Sequence, residues 1–153
     1  MLKKFVSSLL ALVILAGCAG GSDISSRQSA KATAEQLVNN LGLTDSMKEI
    51  KERHIQGYFF QGEEITTDAS VFYSTETGNS DTVGVFYTED PETCLSYIET
   101  YLVDQKNQTK TYYPEEGFKI SNAIVDSEGH VVILVICNDI ERGKKIVSAL
   151  LGK

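Results

Sequence analysis

A histidine beside a carboxylate can move a proton or help to hold a divalent cation, and the chain has two histidines for such work, His54 and His130. Paired carboxylates could add to either chemistry, and they occur at Glu63-Glu64, Glu89-Asp90, Glu115-Glu116 and Asp139-Glu141. Neither set has the spacing of a known reactive constellation. No His-Glu-x-x-His, Cys-x-x-Cys, Gly-x-Ser-x-Gly or phosphate-cradling glycine loop occurs, and no acidic pair has the interval of a calcium loop. His130 follows the glycine of a predicted turn and His54 sits in a charged segment, so solvation is the simpler expectation for both. Asp90 and Asp139 precede predicted helices as caps, and Glu115-Glu116 fall in a predicted connector where solvated charge is expected. An enzyme using His54 or His130 with a nearby carboxylate such as Asp126, as a hydrolase or with a metal, is therefore the alternative reading. The favoured one is a non-enzymatic chain with no cofactor.

The three cysteines divide into one at the N-terminus and two far along the chain. Lys3 and Lys4 precede an apolar run from Phe5 to Ala16, which small residues close at Ala16, Gly17 and Cys18. That is the charged head, apolar middle and small-residue cleavage site of a secretory signal. The run, roughly a dozen residues, falls short of the roughly 20 that span a bilayer as a helix. Leu15-Ala16-Gly17-Cys18 resembles the lipobox of bacterial lipoproteins, in which a diacylglycerol joins the Cys thiol and the chain is cut just before it. The resemblance implies removal of 1–17 as a signal peptide and a lipidated Cys18. Two acyl chains anchor stably without a membrane-spanning helix. The expected location is the extracytoplasmic face of the cell membrane.

Residues 18–25 then read as the lipidated cysteine and a Gly/Ser-rich tether, and 26–153 as a single globular domain. Cys94 and Cys137 could form a disulfide in an exported chain. Their expected places, in the first turn of a helix and at the end of an apolar strand, favour two buried thiols. The formal net charge is −7, and removal of Lys3 and Lys4 makes it two units more negative. Such a surface repels phosphates, which excludes nucleic-acid binding through a basic footprint.

The elements follow from periodicity. Ala30, Ala34, Leu37, Val38 and Leu41 form one helical face starting from about Ser26, with Gly42 as the left-handed cap. Thr44 to His54 suggests a short second helix. Tyr58-Phe59-Phe60 is either an exposed binding patch or a plug where a helix meets the sheet. Thr67–Ser74 and Asp81–Tyr87 alternate with period two and form a hairpin through Gly78-Asn79. Asp90-Pro91-Glu92 opens a helix expected to run to about Gln108, its cap, first-turn proline and acid all in place. Thr109 to Ser121 reads as a connector. Ala123–Asp126 and Val131–Cys137 form a second hairpin with a three-residue turn ending at Gly129. Val131–Cys137 is apolar on both faces, so it is central and covered on each side. Asp139 caps the last helix, which Gly152 ends.

These elements give an α+β fold: an N-terminal helix followed by two strand-strand-helix units, with a mainly antiparallel four-stranded sheet and packed helices. The two later helices are expected on one sheet face, the first helix or a partner on the other. The lipobox, the Asp81–Phe86 strand, Tyr101-Leu102 with Gln105-Lys106, the Tyr113-Pro114-Glu115 connector and the Asn122–Val125 to Val131–Cys137 hairpin are similar to a family of small lipoproteins from Gram-positive bacteria, a domain of unknown function. The resemblance implies one domain outside the cytoplasm and transfers no active residues. The chain is therefore expected to be a binding or interaction module of the cell envelope, held to the membrane through Cys18 and assisting another envelope protein or sequestering a ligand. Tyr58, Phe59 and Phe60 are its candidate surface. A two-lobed solute receptor is disfavoured because it needs a longer chain.

Overall fold

The computed structural model describes residues 28–153. Cys18, the signal segment 1–17 and the tether 18–25 lie outside the described residues. Five helices and five strands follow in the order α1 (Ala30–Leu41), β1 (Met47–Glu49), α2 (Glu52–Phe59), β2 (Asp68–Ser74), β3 (Thr82–Tyr87), α3 (Pro91–Thr109), α4 (Pro114–Ser121), β4 (Ile124–Glu128), β5 (Val131–Ile136) and α5 (Ile140–Leu151). The fold is α+β, with one open sheet ordered β1-β2-β3-β5-β4 and antiparallel throughout. None of the described helices is long and apolar enough to cross a membrane.

The two central strands determine the layering. Along β5, Val131, Ile133 and Val135 face one way and Val132, Leu134 and Ile136 the other, and all six are buried. The first set packs with Val83 and Val85 of β3 beneath α1 and α5. The second packs with Phe86 beneath α2, α3 and α4. A strand apolar on both faces requires cover on both, and the helices supply it.

The helix ends obey the sequence. Ser29 accepts a hydrogen bond from the Ala32 amide and Asp68 from the Ala30 amide, so two donors at the start of α1 are satisfied. Asp90 caps α3 through the Thr93 amide, and Asp139 caps α5 through Arg142. Gly42 and Gly152 adopt the left-handed conformation just past α1 and α5.

Several expectations are corrected. The sheet has five strands rather than four. Residues 44–54 are not one helix: Met47–Glu49 pairs along the outer edge of β2, and α2 begins only at Glu52. A three-residue strand with one apolar side chain carries no readable alternation. The connector contains α4, started by Pro114 with Glu115 and Glu116 in its first turn; Gly117 lies inside it with open space around its Cα. The two later helices take opposite faces, because α5 packs with α1 while α3 joins α2 and α4. The second hairpin turns through two residues, Gly129 and His130, with positive φ at Gly129 alone.

Candidate functional site

On the α2-α3-α4 side, the sheet is left partly open at one end. Lys48 of β1 is opposite Tyr73 of β2, Tyr73 opposite Thr82 of β3, and Thr82 opposite Ile136 of β5. Directly opposed residues share a sheet face. These four form a row across the sheet, and all four line a pocket of about 510 Å³. His54, Tyr58 and Phe59 of α2 make one wall, and Tyr101 and Gln105 of α3 with Ile120 of α4 make another. Asn79, Ser80 and Asp81, the segment leading into β3, close the end. The volume falls within the range of small-ligand sites.

An ion cluster stands behind that closing segment. The Lys119 ammonium donates to Asp81 Oδ1 at 2.9 Å and to Asn79 Oδ1 at 3.1 Å, and lies 2.9 Å from Glu116 Oε2. Glu116 in turn accepts from the amide and the hydroxyl of Ser80. Burial alone would raise the Glu116 pKa, but the hydrogen bonds from Ser80 and the nearby Lys119 hold it below the ordinary glutamate value. Burial works in the opposite direction on Lys119, and Asp81 and Glu116 outweigh it, leaving the ammonium above its ordinary value. The cluster therefore stays charged and fixes the loop from Asn79 to Thr82. Loops that carry polar groups into a pocket gain precision from such anchoring.

The aromatic wall is apolar at its base and wet at its lip. The Phe59 and Tyr101 rings lie 4.3 Å apart, and burial pushes the Tyr101 phenol up to about 12, with the neighbouring Thr82 hydroxyl acting in the opposite direction. Its hydroxyl is a neutral hydrogen-bonding group. Tyr58 is 67% exposed, with the His54 ring 6.2 Å away beside it.

The predicted triplet is thus divided. Tyr58 stands at the lip, Phe59 forms buried wall, and Phe60 is fully buried against Phe86 and Tyr97. Exposure and burial change within one aromatic run: Tyr58 is exposed, and Phe59 and Phe60 are buried as the plug between helix and sheet. Gln61 at φ 54 and Gly62 at φ 92 then turn the chain away from α2.

The histidines go to separate places. His54 lines the pocket, with its Nε2 accepting from Arg53 Nε at 3.2 Å. His130 sits at the β4-β5 turn, 3.2 Å from the Thr88 carbonyl and 3.7 Å from an exposed Glu89 carboxylate. Asp126 does not join it, because that carboxylate pairs with Lys153 at 2.6 Å. Among the described residues, no three His, Cys, Asp or Glu side chains are grouped to hold a metal ion. Cys94 and Cys137 are free and buried, and burial raises both thiol pKa values, that of Cys94 to about 12.

Glu116 corrects the expectation of solvated charge, since it is buried and paired. Sequence reading missed the Asp81-Lys119-Glu116 cluster. The available signal was Glu116 and Lys119 at i and i+3 behind Pro114, a pair that meets only if the connector is helical. Residues 39–137 match a family model described as Domain of unknown function (DUF4358). No curated protein and no solved structure matches the chain.

Proposed function

Because the chain belongs to the DUF4358 family, a domain of unknown function, we propose its role from its own residues: a non-enzymatic binding module of the cell envelope, anchored through lipidated Cys18, with the pocket under Tyr58 as its ligand seat. The observation that carries the binding reading is the joining of an exposed tyrosine to a preformed recess. Tyr58 is exposed at the lip, Phe59 and Tyr101 provide a fixed apolar wall, and buried ion pairs hold the polar end. Large aromatic surface beside a few convergent polar groups is how small-ligand sites achieve affinity and orientation. The anchor rests on the signal-like segment and its lipobox resemblance, and the similarity of the following domain to small lipoproteins of Gram-positive bacteria supports the same reading. The histidine-based enzyme has less support: Asp126 is engaged by Lys153, His130 does not line the pocket, and His54, which does, accepts from Arg53 and makes no hydrogen bond with a carboxylate among the described residues.

The test is photo-crosslinking in intact cells from a photoreactive residue at position 58 of the full chain, beside a Cys18→Ala control and a probe at exposed Glu64. A recurrent adduct specific to position 58 and lost in the control is the expected result. Equal adducts from both positions would overturn the pocket as the seat. Metabolic labelling with a fatty acid, expected on the wild type and absent from Cys18→Ala, tests the anchor separately.

A further inference from the structure

The charges around the pocket are segregated by the pleat of β1 and by the geometry of the buried cluster. In β1, Glu49 turns to the α1 side, where it pairs with Lys31 at 2.6 Å and accepts from Ser70 at 3.0 Å. Lys48, its neighbour, turns to the pocket side opposite Tyr73. Lys48, Glu49 and Lys51 all line the pocket, but the Glu49 carboxylate is taken up by Lys31 and Ser70 on the α1 side, and no carboxylate lies within ion-pair distance of Lys48 or Lys51 among the described residues.

The far end has the opposite sign. Lys119 directs its ammonium to Asn79, Asp81 and Glu116, which takes up its three N–H donors. Two carboxylates share that one cation, so the cluster keeps one negative charge. Asp81 lines the pocket, with Oδ1 engaged by Lys119 and its second oxygen making no hydrogen bond among the described residues. A carboxylate buried to this extent favours a further donor.

We propose that this pocket takes a zwitterionic ligand of the peptide class, a di- or tripeptide with free termini, its ammonium on Asp81 and its carboxylate between Lys48 and Lys51. The inference rests on the reading that the pocket is the ligand seat. Lys48 and Thr82, the neighbour of Asp81, are separated by two inter-strand spacings, about 10 Å. That is the reach of two or three extended residues. The Phe59 and Tyr101 rings receive an apolar side chain, and Gln105 offers its amide to the peptide groups. A lone phosphate would meet Asp81 with like charge, a polycation would meet the two lysines, and a neutral sugar would leave both ends uncompensated.

The test offers the full chain in detergent an equimolar pool of tripeptides with free termini, beside the same pool N-acetylated and the same pool C-amidated, with retained peptides read by mass spectrometry. The free-terminus pool should be retained at least tenfold better than either capped pool. Lys48→Gln combined with Lys51→Gln should abolish discrimination against the amide while keeping discrimination against the acetyl group. Asp81→Asn should do the reverse, and the comparison among pools on the wild type stands even if that variant folds poorly. Equal retention of all pools, lost in Tyr58→Ala, would overturn the zwitterion while keeping the pocket as a seat. No retention of any pool would overturn the peptide class; if position 58 also gives no specific adduct in cells, the binding reading falls with it.

Discussion

The Lys119 ammonium lies 2.9 Å from Asp81 Oδ1, and both side chains are more than nine-tenths buried, although they lie 38 residues apart in the chain. The contact ties α4 to the strand that begins at Thr82, and so sets the closed end of the pocket. A buried ion pair is not by itself a source of net stability, because desolvation offsets the attraction. Its consequence is asymmetric: removing Lys119 leaves two uncompensated carboxylates, whereas removing one carboxylate leaves a neutral pair.

Lys119→Met is therefore expected to destabilise the fold by about 3–5 kcal/mol, since it strands Asp81 and Glu116 together. Glu116→Gln should cost only about 1–3 kcal/mol, because Lys119 and Asp81 remain a neutral pair and the amide oxygen can still accept from Ser80. Urea denaturation of the two variants checks the order. Equal costs would mean that the cluster does not share charge as described.

The same cluster predicts an acid limb and an alkaline limb. Glu116 has a folded pKa below its ordinary 4.5, so its contribution is fully present above that value and is lost as pH falls through the folded pKa. Lys119 is raised above 10.5, so its contribution is present below that value and is lost as pH rises through the folded pKa. The stability gap between wild type and Glu116→Gln should narrow when pH falls from about 6 to about 3. A gap that stays constant across urea titrations at both pH values would rule out the acid limb.

Close packing behind the pocket gives a third expectation. Gly84 of β3 lies against Phe86, and a Cβ at position 84 would meet that ring at 2.8 Å. The ring cannot withdraw cheaply, because Phe59 and Phe60 each stand 5.5 Å from it, centre to centre. Gly84→Ala should cost about 1–3 kcal/mol by overpacking. A denaturation midpoint equal to wild type would show that the aromatic cluster yields more readily than its burial implies.

Elements with a strong local signal were legible in the sequence, and the pocket was not, for one physical reason. The face of α1, the caps of α3 and α5 and the two-sided burial of β5 each follow from neighbours within one turn or one strand. The pocket depends on register between strands. Lys48, Tyr73, Thr82 and Ile136 come from four strands and form a row only once β1 pairs with β2, a contact no three-residue strand advertises. The buried cluster likewise needs the turn of α4, which Gly117 obscured. His54 was identifiable as a polar residue in a charged segment, but not as part of a pocket wall.

Tyr58 and Phe60 provide the sharpest separation of site from scaffold, since they are two residues apart on one aromatic run. Tyr58 is exposed at the lip, so Tyr58→Ala should change stability by no more than about 0.5 kcal/mol. Phe60 is fully buried beside Phe86 and Tyr97, so Phe60→Ala should cost about 3–5 kcal/mol. For ligand retention the order reverses where the fold survives: under native conditions Tyr58→Ala should lose the ligand, while the folded fraction of Phe60→Ala should keep it. Parallel thermal melts and retention assays on the two variants read both quantities. Loss of retention in proportion to loss of folded protein in both would reduce Tyr58 to surface and remove the lip from the site.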